Sequence, residues 1–344
     1  CQQPPRLSLR RSFVLSKYFM LILSEKQVQT LIDIRELIEA LEQAHIQYSM
    51  GKAVMPVRLV VPLPDIKGRI TSMPGYLDQD KALGMKVVTY FQDNPTRGLP
   101  AILATIMLFS SETGKIIAAI DGSHITAIRT ACASAMATKA LANPATAVMG
   151  ILGAGVQARA HIQALTEVRK LEQIKLYSPS GASAETIKKE MEPKAGVKIA
   201  VGKSAEETVR DSDLVVTVTT AKAPILKPDW LKPGAHINAV GSHRPDFREL
   251  DGATLARSKV VVDSREAIMA ECGDVLLAIK EDSFAANDIY GEIGEVLAGV
   301  KPGRTAGSEI TLYKSVGIAI QDVATARLVY DKALKRNVGT HVEI

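Results

Sequence analysis

The spacing of apolar positions changes partway along this chain. In EKQVQTLIDIRELIEALEQAHIQYSMG (25–51), Leu37, Ile38, Leu41 and Ala44 recur at helical spacing. That predicts a helix in two pieces, which Gly51 can end. Residues 54–120 read instead as strands: VRLVVPLP, GRITSMPGYL, LGMKVVTYF and PAILATIMLFS, separated by Pro, Gly and Asp-Asn turns. FSSETGKII (109–117) is a hairpin signal with Thr113-Gly114 in its turn. The front part is therefore expected to be a small domain with a largely antiparallel sheet.

Near residue 125 the pattern changes. ITAIRTACASAMATKALAN is rich in small residues and helical, and Asn143-Pro144 stops it. Apolar runs then alternate with helical spacers. The runs are TAVMGIL (146–152), IKLYS (174–178), LVVTVT (214–219), HINAVG (236–241) and KVVVD (259–263). AHIQALTEV and ASAETIKKEME are among the spacers, and SVGIAIQDVATARLVYDKALK (315–335) reads as a long amphipathic helix. Such alternation predicts a parallel sheet covered on both faces. The expected class is α/β: a Rossmann-type doubly wound parallel sheet beside a smaller α+β domain.

Composition narrows the function. The 344 residues suggest two domains or one large one, and 47% apolar residues can fill a sizeable core. The net charge is +5, but Arg6, Arg10, Arg11 and Lys17 supply four of those charges, so the rest is near neutral. With aromatic residues at 4%, a nucleic-acid partner is not expected. Cys1, Cys132 and Cys272 form no CxxC pair, which points to a reducing, cytoplasmic setting. The six histidines show no metal-binding spacing, and no metal is expected. No apolar run reaches the roughly 18–20 residues of a membrane span; Lys17 interrupts FVLSKYFMLIL (13–23), the nearest approach. Residues 1–19 are read as an upstream extension before Met20. A transit peptide, or a lipoprotein end at Cys1, are the weaker readings.

Gly153-Ala154-Gly155-Val156-Gln157-Ala158 fits G-x-G-x-x-G/A, the pyrophosphate turn of dinucleotide-binding folds. It follows an apolar strand and opens a helix, the context the motif requires. NAD-selective sites place an acid roughly 20 residues on, to bond the ribose 2′-hydroxyl. Here that position holds Ser178, and no carboxylate follows until Glu185. Ser178, Ser180 and Ser183 can donate to a 2′-phosphate, with Lys188 or Lys189 supplying a cation. NADP(H) is the expected cofactor, NAD(H) the alternative.

Arg58, Lys86 and Arg129 stand in apolar surroundings: MPVRLVVPL, LGMKVVTYF and the start of the connecting helix. A buried cation requires an anion. For any one alone, a protein carboxylate or exposure to water suffices. Together they suggest a site for a small carboxylate, which arginine clamps with two parallel bonds.

GMKVVTYFQDNP, AIRTACASAMATKALA, GILGAGVQARAHIQAL, INAVGSHRPDFRELD and LYKSVGIAIQDVATA together resemble the ornithine cyclodeaminase/mu-crystallin family, over residues 20–335. The resemblance is strongest to its mu-crystallin branch, whose members act as ketimine reductases. It implies a substrate-binding and dimerisation domain of residues 20–128 with 316–344, around a Rossmann domain of 129–315. It implies substrate or catalytic roles for Arg58, Lys86, Arg129 and Val316. It assigns the cofactor to Arg129, Gly153 to Gln157, Ser178, Ser180, Thr219, Val240, Gly241, Ser242 and Ser315. A homodimer is expected.

True cyclodeaminases carry an aspartate where this chain has His243, in Gly241-Ser242-His243. A histidine is a poor partner for a diamine's distal ammonium, but it can donate a proton near neutral pH. The expected reaction is NAD(P)H-dependent reduction of a cyclic imino acid, with Lys86 and His243 as catalytic candidates. Ornithine cyclisation, alanine dehydrogenation and non-catalytic NADPH or hormone binding are the rivals.

Overall fold

A computed structural model describes residues 18–344. The basic stretch before Tyr18, and most of the proposed extension, lies outside the described residues. The front sheet contains β1 (Phe19–Leu23), β2 (Ala53–Val54), β3 (Leu59–Leu63), β4 (Gly68–Leu77), β5 (Ala82–Phe91), β6 (Ile102–Ser110) and β7 (Ile116–Asp121). Helices α1 (Glu25–Leu31) and α2 (Ile34–Ser49) separate β1 from β2, and Gly51 (φ +71°) turns the chain after α2. Gly114 (φ +73°) turns the β6–β7 hairpin.

Helix α3 (Ser123–Leu141) links the sheets and runs unbroken through residues 128 and 129. Beyond it come β8 (Val148–Leu152), β9 (Gln173–Tyr177), β10 (Lys198–Val201), β11 (Leu214–Thr217) and β12 (His236–Ala239). Then follow β13 (Lys259–Val262), β14 (Ile289–Glu292) and β15 (Thr311–Lys314). The covering helices are α4 (Val156–Val168), α5 (Ala182–Ala195), α6 (Ala205–Val209), α7 (Gly252–Ala256), α8 (Arg265–Glu271), α9 (Gly273–Lys280) and α10 (Ile293–Leu297). Helix α11 (Ala319–Arg336) returns to pack on β4 and β5, and β16 (Thr340–Glu343) closes the chain.

The second sheet is parallel throughout, in the order β10-β9-β8-β11-β12-β15-β13-β14. Strand order reverses between β8 and β11, the switch point where open α/β sheets bind ligands. The front sheet, β16-β1-β7-β6-β5-β4-β2 with β3 on β4, is antiparallel except between β1 and β7. Phe19–Leu23 is a strand held between β7 and β16. One expectation needs correction. The last helix begins at Ala319, because Ser315–Ile318 form a turn through Gly317 (φ +74°). Among the described residues no helix is long and apolar enough to cross a membrane.

Candidate active site

Strand β8 runs into Gly153, whose φ is +116°. A Cβ there would stand 2.6 Å from the Val218 carbonyl oxygen, so glycine alone permits this turn. Gly155 caps α4 without a side-chain bond, and the space its Cβ would fill is open. The first amides of α4 therefore face a cleft of about 570 Å³, with the positive end of the helix dipole behind them. Gly153, Ala154, Gly155, Ser178 and Thr219 line it, and no acid or base does. This cradle fits a dinucleotide pyrophosphate. Val156 is exposed at the first turn of α4, whereas Gln157 faces the neighbouring pocket with Oε1 buried and unpartnered. Ser180 is outside the lining and donates to Ser183 Oγ (3.0 Å); Lys188 and Lys189 are outside it too.

Facing this cleft, strand alternation turns Arg69, Thr71 and Met73 of β4 and Lys86, Val88 and Tyr90 of β5 to one side. With Arg58, Arg129 and the Val316–Gly317 turn they form a pocket of about 270 Å³, closed by Thr219, Val240, Gly241 and His243. The three cations expected from sequence thus meet at one place, beside the end of the glycine turn.

Each of the three has a carboxylate partner. Lys86 Nζ lies 2.7 Å from Asp322 Oδ2, and Arg129 Nε donates to Asp322 Oδ1 at 3.0 Å. Arg129 Nη1 also donates to Gln321. Arg58 Nε pairs with Glu271 at 2.8 Å, while its Nη2 donates to the carbonyls of Val316 (3.0 Å) and Gly317. That leaves Arg58 Nη1 and Arg129 Nη2 without a hydrogen-bond partner among the described residues. Lys86, Arg129 and Asp322 are all buried, and two cations on one carboxylate leave a net positive charge for an anion to balance. Burial lowers the Lys86 pKa from 10.5 to about 7, against the attraction of Asp322 and helped by Arg129 and Arg58. A lysine so placed can gain or lose its proton near neutrality.

The supports lie deeper. Asp263 Oδ2 accepts from Ser315 Oγ (2.8 Å), Val316 N (2.9 Å) and Gly317 N (2.8 Å), which fixes the turn that holds Arg58. Glu249 accepts from Thr219 N (2.6 Å), Thr219 Oγ1 (2.7 Å) and Gly241 N (2.8 Å), tying the ends of β11 and β12 together. The Ser315 hydroxyl is therefore engaged by Asp263. Ser242 Oγ donates to the Phe247 carbonyl (2.6 Å), so neither serine presents its side chain to the pocket.

Sequence reasoning missed Asp322, Glu271, Asp263 and Glu249. Asp322 alone left a signal, an acid inside the small apolar run IAIQDVATA. His243 is placed in the pocket wall, but it does not suit the proton-donor role expected of it. Desolvation by the surrounding walls, then the charges of Arg58, Arg69 and Lys314, lower its pKa from 6.5 to about 4. The side chain is exposed, which discounts the desolvation; the cations keep the direction downward from 6.5, so the neutral imidazole predominates at pH 7.

A phosphate cradle at a topological switch point, facing a cationic pocket from the other domain, defines the class: a Rossmann-type, nicotinamide-dependent oxidoreductase. Comparison with known proteins names the family. The chain belongs to the ornithine cyclodeaminase/mu-crystallin family, whose model matches residues 19–337. It is 40% identical to ketimine reductase mu-crystallin of Mus musculus, over 86% of this chain and 91% of that one. Thermococcus litoralis Delta(1)-pyrroline-2-carboxylate reductase, solved with NADH and L-proline, superposes with a TM-score of 0.91 at 43% identity. That match covers 94% of this chain and 100% of the other. An archaeal alanine dehydrogenase dimer with bound NAD gives 0.89 at 36% identity, covering 94% and 99%.

Proposed function

We propose that this chain reduces a cyclic ketimine, such as pyrroline- or piperideine-2-carboxylate, to the L-amino acid with NAD(P)H. The observation that carries the reading is the buried Lys86–Asp322–Arg129 group, net positive and beside the dinucleotide cradle. The names of the mouse and Thermococcus relatives support it. When bound, the nicotinamide supplies the hydride that the imine carbon accepts. Arg58 Nη1 and Arg129 Nη2 hold the substrate carboxylate, so that orientation is set before chemistry. Lys86 donates its proton to the imine nitrogen, which makes the adjoining carbon electrophilic, and Asp322 keeps the ammonium in place. Arg69 and neutral His243 stand where a diamine's distal ammonium would need an acid, which favours imine reduction over ornithine cyclisation.

The test is oxidation of NADPH by purified enzyme with these imines, followed by nicotinamide absorbance. Lys86→Met is expected to lower kcat by about 10²–10⁴-fold. Turnover left intact would remove Lys86 from the mechanism.

NADPH is the favoured donor in this reading and NADH a usable one. Ser178 lines the cleft at the ribose end, and no carboxylate there repels a 2′-phosphate. The assembly is read as a homodimer. Leu59, Val60, Val61, Ile70, Ile102 and Leu103 are each at least 38% exposed on the front sheet, a patch a second copy would cover. The dimeric archaeal relative supports this. Light scattering should give twice the chain mass; a monomer at micromolar concentration would reject it.

A further inference from the structure

Arg69 is the cation the mechanism above leaves unused. It sits on β4 opposite Tyr90 of β5, on the face that also carries Lys86, with its guanidinium carbon 5.1 Å from the Tyr90 ring centre. It stands four positions before Met73, the cross-strand partner of Lys86, so its backbone lies about 13 Å along the sheet from the catalytic level. Among the described residues its guanidinium has one hydrogen-bond contact, a long one, Nη2 to His243 Nε2 at 3.4 Å. Among the described residues no carboxylate lies within ion-pair distance of it.

Its neighbours differ in this respect. Arg58 has Glu271 at 2.8 Å, Lys67 has Asp93 at 3.6 Å, and Arg244 holds Asp246 with two bonds of 3.0 and 2.8 Å. Arg69 is half-buried, and an unpaired cation in such a place carries a desolvation cost that an incoming anion would relieve. The surroundings leave room for one. A second cleft, of about 720 Å³, opens from the catalytic pocket and shares Arg58, Arg69, Thr71, Tyr90 and His243 with it. Arg69 stands at the junction, its planar fork backed by an aromatic ring, which is a suitable geometry for a two-bond carboxylate contact.

We propose that Arg69 forms a second anion subsite, and that the substrate is an imino acid with a further carboxylate distal to its C=N bond. The first carboxylate takes Arg58 and Arg129, the imine faces Lys86, and the distal carboxylate reaches Arg69. This rests on the imine-reductase reading for the reaction, but the subsite can be measured apart from it.

The experiment uses the NADPH-bound enzyme and compares piperideine-2-carboxylate with six-membered ring imines carrying a further carboxylate. Binding of α,ω-dicarboxylates from succinate to pimelate, against chain-matched monocarboxylates, is measured alongside by thermal shift and cofactor fluorescence. Wild type is expected to prefer a dicarboxylic imine in kcat/KM by about 10- to 100-fold, the range for a charge-assisted pair. Arg69→Met should collapse that ratio, chiefly through KM, and Arg69→Lys should restore part of it. One length of dicarboxylate should bind wild type at least about tenfold better than its monocarboxylate, and lose that advantage in Arg69→Met. If neither imine turns over but this binding difference holds, the reductase reading fails and the subsite stands. If dicarboxylates show no advantage, or Arg69→Met weakens mono- and dicarboxylates alike, the subsite is refuted.

Discussion

Asp322→Asn is the change that tests the site's electrostatics most directly. The carboxylate is fully buried and serves two cations, at 2.7 and 3.0 Å. The amide has nearly the same shape, so what is lost is one negative charge. Arg129 cannot shed its proton and is left as a buried cation with neutral acceptors and no counter-charge; breaking such a pair costs about 3–5 kcal/mol. Lys86 can escape by losing its proton. Its pKa, already lowered to about 7, loses the attraction that opposes burial and falls further. At pH 7 about half of the wild-type lysine carries its proton. Each unit by which the variant's pKa falls cuts the protonated fraction at pH 7, and with it the supply of proton donor, up to about tenfold. The assay is kcat/KM for imine reduction against pH, both proteins on one substrate. Wild-type activity should decline above about pH 7, and the variant's decline should begin at least about one pH unit lower. Stability has its own sign. The folded lysine's pKa lies below its unfolded value of 10.5, so the unfolded chain binds more protons between about 7 and 10.5, and stability rises with pH across that window. In Asp322→Asn the rise should start at lower pH in urea titrations. A decline in kcat/KM that stays at the wild-type pH would refute the account in which Lys86 donates the proton under the control of Asp322.

Ser178→Asp places a carboxylate at the ribose end of the cleft and should raise the NADPH dissociation constant at least about tenfold relative to NADH, read by cofactor fluorescence. NADH binding wild type more tightly than NADPH would overturn the cofactor preference. His243→Asn should leave the alkaline decline of kcat/KM where it is, because the imidazole is already neutral at pH 7. A shift of that decline would restore histidine as the acid.

Much of the fold could be read along the chain because its causes are local. The turn at Gly153 needs a residue that tolerates φ of +116°, and the strand before it and helix after it declare themselves by period. The cations declared themselves too, since arginine and lysine among apolar neighbours need an explanation wherever they fall. Their partners did not. Arg129 and Asp322 are 193 residues apart, and Arg58 and Glu271 213 apart. Asp322 lies in the half of α11 that is buried from Ala319 to Ala326, although the helix as a whole has an amphipathic period. Its place inside the small apolar run IAIQDVATA was a signal of burial, but it named no partner until the helix is seen returning to β4 and β5.

The sequence by itself determined the architecture, the dinucleotide turn and the presence of three charges that required anions, because backbone sterics and apolar periodicity act within a few residues. Only the tertiary structure decided which anions answer them, that Lys86 is the group whose proton is available near neutrality, that His243 is not, and that Arg69 is left unpaired. Those outcomes depend on burial and on distances between elements far apart in the chain, and charge energies vary with both.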